Sequence, residues 1–108
     1  MDIATLDNFN FNFKTNVQAT FEIMQHSIPH LKLSKDHSPS IINISSVNAK
    51  QAFRGCATYC ASKAAVDQLS RCASLVSNTH THVHTVVIHD THVHTYIHTY
   101  IHTYIHTY

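Results

Sequence analysis

Residues 40–76 read SIINISSVNAKQAFRGCATYCASKAAVDQLSRCASLV, and the order of patterns within them decides the fold. In SIINISS, Ile41, Ile42 and Ile44 are nearly continuous. A short β-branched run without alternation predicts a strand covered on both faces, as in a parallel sheet. VNAKQAFRG then reads as a loop, and from about Thr58 to Val76 the periodicity is that of an amphipathic helix. Ala61, Ala64 and Ala65 on that helix predict the close approach of a neighbouring backbone.

Upstream, Val17, Phe21, Met24, Ile28 and Leu31 recur at helical intervals, with Gln18, Glu22 and Gln25 largely off the stripe. A helix is therefore expected from Asn16, with Pro29 weakening its last turn and LSKDHSPS forming a loop. Residues 1 to 14, polar and interleaved with phenylalanine, read as a loop leading into it. Helix, buried strand, loop, helix is the grammar of an α/β fold.

Downstream of Ser77 the grammar changes. Nine of the twelve histidines lie there, and from Thr91 to Tyr108 His or Tyr at even positions alternates with Thr, Val or Ile at odd ones. DNA of alternating pyrimidine and purine encodes such a tract: CAC-ACA-TAC-ATA gives HTYI. The tail is expected to be translated repeat DNA, irregular or disordered, with metal binding by histidines at i, i+2 as its functional rival. The domain reading is 1–77 for the α/β unit and 78–108 for the low-complexity tail.

Composition narrows the function. A net charge of +1 with neutral histidines gives no basic field for nucleic acid or anionic membranes. The start MDIATLDNFN lacks the features of a signal peptide, and no apolar run approaches the roughly 20 residues that span a bilayer. A cytoplasmic location is the expectation. Cys56, Cys60 and Cys72 form an odd set with no second pair to complete a zinc site, and read as small buried side chains. Gly55 is the single glycine, so a phosphate-cradling loop that needs two or three glycines is absent.

Tyr59 and Lys63 are four apart on the predicted helix and share a face. A free phenol, with a pKa of about 10, is a poor proton donor to a carbonyl near neutrality, and an adjacent ammonium favours its phenolate. Ser46, at the end of the predicted strand, could polarise the same carbonyl. Taken alone, Tyr-x-x-x-Lys is weak, since an exposed Tyr/Lys pair arises on any helix by chance.

The context is more specific. NVQATFEIMQ, SIINISSV, YCASKAAVDQL and SRCASL resemble the central segments of the short-chain dehydrogenase/reductase family, in its order and with its spacing, from about Thr5 to Leu75. The resemblance implies a partial doubly wound, Rossmann-type parallel sheet and a catalytic tetrad. Asn16 matches the asparagine that helps hold a water in the proton relay. Ser46 matches the serine that hydrogen-bonds the substrate oxygen. Tyr59 matches the general acid/base, and Lys63 the lysine that favours the phenolate and contacts the nicotinamide ribose. Blander readings are a helix N-cap for Asn16 and a strand-end hydroxyl for Ser46.

The family's glycine-rich first turn and its N-N-A-G strand are not in this sequence, and its strand after the catalytic helix is read as replaced by the repeat. The implied protein is a central fragment of an oxidoreductase that moves hydride between NAD or NADP and a carbonyl or secondary alcohol, with this chain itself inactive. The family implies a small-molecule substrate and homo-oligomers. The alternatives are a non-catalytic fragment docking through its helices on a full-length relative, and a histidine-rich metal-binding peptide.

Overall fold

Thr5 opens the first helix. Its Oγ1 accepts the Asn8 N–H at 3.2 Å, and Asp7 in the first turn suits the positive helix end. The computed structural model describes residues 4–33, 39–76, 82–88 and 96–98. Helix α1 (Leu6–Asn12) runs into a π-helical stretch (Phe13–Gln18) and on into α2 (Ala19–Leu31). The loop expected up to residue 14 is thus helical from Leu6. Its Phe-x-Phe-x-Phe alternation hides two i, i+4 relationships. Phe9 stacks on Phe13 with ring centres 4.3 Å apart, and Asn8, Asn12 and Asn16 share a spacing of one turn. Asn16 does not open or cap the helix but lies inside it. Pro29 sits in the last turn of α2, which ends two residues later. The expected loop LSKDHSPS falls largely on residues 34–38, outside the described residues.

Strand β1 (Ser40–Ser46) follows, then a 3-10 turn (Val47–Ala49), and α3 (Ala57–Val76) within one residue of the predicted start. β2 (His82–Ile88) returns parallel to β1, in register from Ser40↔His82 to Ser46↔Ile88, and β3 (Tyr96–His98) pairs antiparallel with β2. The sheet order is β1-β2-β3. Strand, helix and parallel strand form the crossover unit of a partial Rossmann-like α/β fold. A strand, β2, thus follows α3 within the segment expected to be an irregular repeat tail. Threonine and valine alternating with histidine have the period of a strand as well as that of the repeat. The rest of the tail, including most of the strictly alternating tract, lies outside the described residues.

The two faces of β1 differ. Asn43 and Ser45 are buried towards the helices, whereas Ile42 and Ile44 are 59% and 49% exposed. Covering on both faces, predicted from the isoleucine run, is thus not observed: α2 and α3 pack on one side, and no described element lies over the other. Met24 and Val66 are the buried hydrophobic residues among those described.

Side-chain hydrogen bonds tie this side together. Asn12 Nδ2 donates to Thr58 Oγ1 at 3.3 Å, and Thr58 donates to Asn8 Oδ1. Asn43 Nδ2 donates to Ser70 Oγ at 2.8 Å and to Met24 Sδ at 3.2 Å, linking β1, α3 and α2. The buried face of α3 carries Ser62, Val66 and Ser70 at one-turn intervals. Ala61 and Ala64 are exposed and Ala65 half-buried, so the close approach predicted from the alanines is not their role. The cysteines are free thiols, Cys72 exposed and Cys56 and Cys60 half-buried rather than fully buried. No helix among the described residues is long and apolar enough to cross a membrane.

Candidate functional site

The site residues follow from where β1 ends and α3 begins. Gly55 turns the chain with φ of 78°, a backbone region that disfavours residues with a Cβ, and Ala57 begins α3 two residues later. Tyr59 therefore falls in the first turn of α3 and Lys63 in the second, on one face. The Lys63 Nζ lies 5.8 Å from the centre of the Tyr59 ring, within the range of a cation–π contact. The same ammonium donates to the Ile44 carbonyl of β1 at 3.0 Å. Helix and strand are thus joined by the side chain that also faces the phenol.

Ser46 is the last residue of β1 and caps the 3-10 turn behind it. Its Oγ accepts the Asn48 N–H at 3.2 Å and donates to Asn48 Oδ1 at 3.2 Å. The other end of that amide reaches α3: Asn48 Nδ2 donates to Cys60 Sγ at 3.6 Å. Cys60 Sγ in turn donates to the Gln51 carbonyl at 3.9 Å. Ser46 is therefore connected, through Asn48, to the residue that follows Tyr59.

Asn16 lies on the opposite flank of α3. Its Nδ2 donates to Ser62 Oγ at 2.9 Å, and Ser62 donates to the Tyr59 carbonyl at 2.8 Å. Lys63 meets Tyr59 and the carbonyl of Ile44, two residues before Ser46, while Asn16 is joined to the Tyr59 carbonyl through the buried Ser62. Tyr59 and Lys63 are thus in direct contact, Ser46 is connected by way of Asn48 to Cys60, and Asn16 by way of Ser62 to the Tyr59 carbonyl.

Electrostatics at the site centre on Lys63. Partial burial pulls its ammonium below the ordinary lysine value, and Asp67, one turn further along α3, pushes it back up. Asp67 is itself buried, and its Oδ1 has no hydrogen-bond partner among the described residues. Sequence reasoning missed Asn48, Ser62 and Asp67. Asp67 was the most accessible of them, because an acid four residues after Lys63 is an ordinary helix-face pairing. For Asn48 the signal was its position two residues beyond a strand-end serine, where an Asx or Ser turn forms readily.

Comparison with known proteins bears on the family of the chain. The family profile described as short chain dehydrogenase matches residues 2–104. The match passes Leu75, where the likeness read from the motifs stopped, and crosses residue 77 to take in β2 and β3. A tropinone reductase homolog of Arabidopsis thaliana is 39% identical over 67 residues, which are 62% of this chain and 24% of that protein. The chain thus spans about a quarter of the length of this curated relative. No solved structure matches the chain significantly. With the profile covering nearly all of it, the chain belongs to the short-chain dehydrogenase family.

Proposed function

We propose that this chain is part of an NAD(P)-dependent oxidoreductase that interconverts a carbonyl and a secondary alcohol, and that by itself it does not turn over. The observation that carries this reading is the placement of the Lys63 ammonium between the Tyr59 ring and the Ile44 carbonyl, beside the strand end that bears Ser46. Family membership supports the reaction class, and the likeness to a tropinone reductase homolog favours a ketone as the substrate.

In this reading the Tyr59 hydroxyl passes a proton to the substrate oxygen, and Lys63 holds a positive charge beside the phenol. The Ser46 hydroxyl turns from Asn48 Oδ1 to the substrate oxygen while still accepting the Asn48 N–H. Asn16, through Ser62, braces the Tyr59 backbone and is assigned to the proton relay. A nicotinamide cofactor supplies or accepts the hydride.

The residues of this chain suit only one end of that cofactor. Lys63 and Tyr59 can meet a ribose. No stretch of the sequence offers a cradle for the phosphates: Gly55, the one glycine, sits alone in the turn before α3, with open space around it. No step through the cofactor is therefore assigned to this chain.

Two measurements test the reading. Titration of the chain with NADPH, followed by fluorescence, should give no saturable binding in the micromolar range. When residues 5–75 are placed within the flanks of an active relative, Tyr59→Phe should lower kcat by about 10²–10⁴-fold with cofactor affinity nearly unchanged. Lys63→Ala should impair both. A Tyr59→Phe variant that kept most of its kcat would refute the assignment of the acid.

A second reading rests on the open groove lined by Phe13, Lys14, Val17, Phe21 and Leu69, with Phe21 itself exposed. Through this groove the chain would dock on a full-length relative without catalysis. Co-purification with a dehydrogenase subunit, lost on Phe21→Glu, would favour it.

A further inference from the structure

The outer face of the sheet holds a pair of side chains that the proposed reaction does not use. His82 and His84 lie two residues apart on β2, so they emerge on the same face. Their ring centres are 6.0 Å apart and their planes 23° from parallel. We propose that His82 and His84 form a two-imidazole site for a borderline divalent transition-metal ion, Zn²⁺ or Cu²⁺.

The geometry is close to what such an ion requires. A metal–nitrogen bond is about 2.0–2.1 Å, and the ring centre lies roughly an ångström behind the nitrogen, so two imidazoles on one ion have centres about 5–6 Å apart. The observed spacing lies at the upper end of that range, and the rings must turn out of their near-parallel stacking for their nitrogens to converge on one ion. Register fixes the surroundings. Ile42 of β1 is paired with His84, and Ser40 with His82. Ile42 and Ser40 are both exposed and His82 and His84 half-buried, so among the described residues this face is partly open. Water can complete the coordination of an ion held there, and the Ser40 hydroxyl stands beside His82 as a candidate partner for that water. Imidazole nitrogen as the sole protein donor selects zinc, copper and nickel over magnesium and calcium.

A metal-binding tract and a folded site make different predictions. In a tract, any of the nine histidines beyond Ser77 would serve equally. In a site built by β2, the two on the sheet bind first. Zn²⁺ is added to the full chain labelled at its imidazole nitrogens, and the histidine signals are followed by NMR. The expected result is that the His82 and His84 signals move together and saturate at about one equivalent, ahead of the others. The double variant H82N/H84N should lose Zn²⁺ affinity by at least about tenfold. A variant with His92, His94, His98, His102 and His106 all changed to asparagine should keep the first equivalent. In concentrated urea the preference for the pair should vanish. If His82 and His84 stay still during the first equivalent, the proposal is overturned. It is equally overturned if H82N/H84N leaves the affinity unchanged, or if the preference persists in urea.

Discussion

The Lys63 ammonium is bonded to the Ile44 carbonyl at 3.0 Å while facing the Tyr59 ring at 5.8 Å, so one side chain fixes both the helix–strand junction and the charge beside the phenol. Burial disfavours that charge and Asp67 favours it. With the folded value lowered, the folded chain binds the Lys63 proton more weakly than the unfolded chain does. The resulting destabilisation is fully present below the folded pKa and is relieved as pH rises from there towards 10.5. NMR titration of the Lys63 side chain should therefore find it deprotonating below 10.5, and Asp67→Asn should move that transition lower still. A transition at or above 10.5 would remove the electrostatic account.

Asn43 binds three elements with one amide. Asn43→Ala should destabilise the chain by about 1–3 kcal/mol, since it strips the buried Met24 and Ser70 of a shared donor and leaves a void. Ser70 keeps its bond to the Val66 carbonyl, so the loss should stay at the low end unless β1 itself detaches. Helical circular dichroism during urea unfolding reads the change.

Gly55 offers a cleaner backbone test. A methyl group there meets nothing within 4 Å, so the effect of Gly55→Ala is conformational alone. It should cost about 1–2 kcal/mol because φ is positive, and Gly55→Asn should cost less. Equal stability of all three proteins would mean that the turn adjusts.

The exposed isoleucines should make the chain associate with itself. Ile42 and Ile44 present an apolar face, and the edge of β1 away from β2 has no partner strand among the described residues. Sedimentation should show mass rising with concentration, and Ile42→Lys with Ile44→Lys should suppress it. An unchanged profile would place the contact on the helices instead.

The sequence disclosed α3 almost to the residue, because its periodicity was long and uninterrupted. β1 was also legible, but its orientation was not. An isoleucine run is silent about which face will be covered, and the inward residues proved to be Asn43 and Ser45. β2 was missed because its first half, His82 to Thr85, alternates like the repeat around it and was read with the low-complexity tail, although Val86, Val87 and Ile88 that follow are a β-branched run. Tyr59, Lys63 and Ser46 were readable as positions. The links from Asn16 to Ser62 and from Asn48 to Cys60 were not, because those depend on which side chains meet across different elements, whereas Asp67, one turn after Lys63, was within reach of helix spacing.

The π-helical stretch sets the angular phase of everything before it. At 100° per residue, Asn8 and Met24 would stand about 160° apart around a continuous α-helix. Yet Asn8 accepts from Thr58, and Met24 is buried against Asn43, both on the side that holds α3 and β1. A wide turn takes in one extra residue and so gives back about 100°, leaving the two roughly 60° apart. Phe13–Gln18 acts as a rotational coupling between two helical segments. Removing one residue from it, for instance Thr15, should restore plain α geometry and force a choice. Either the Asn8–Thr58 contact survives or Met24 stays buried, but not both.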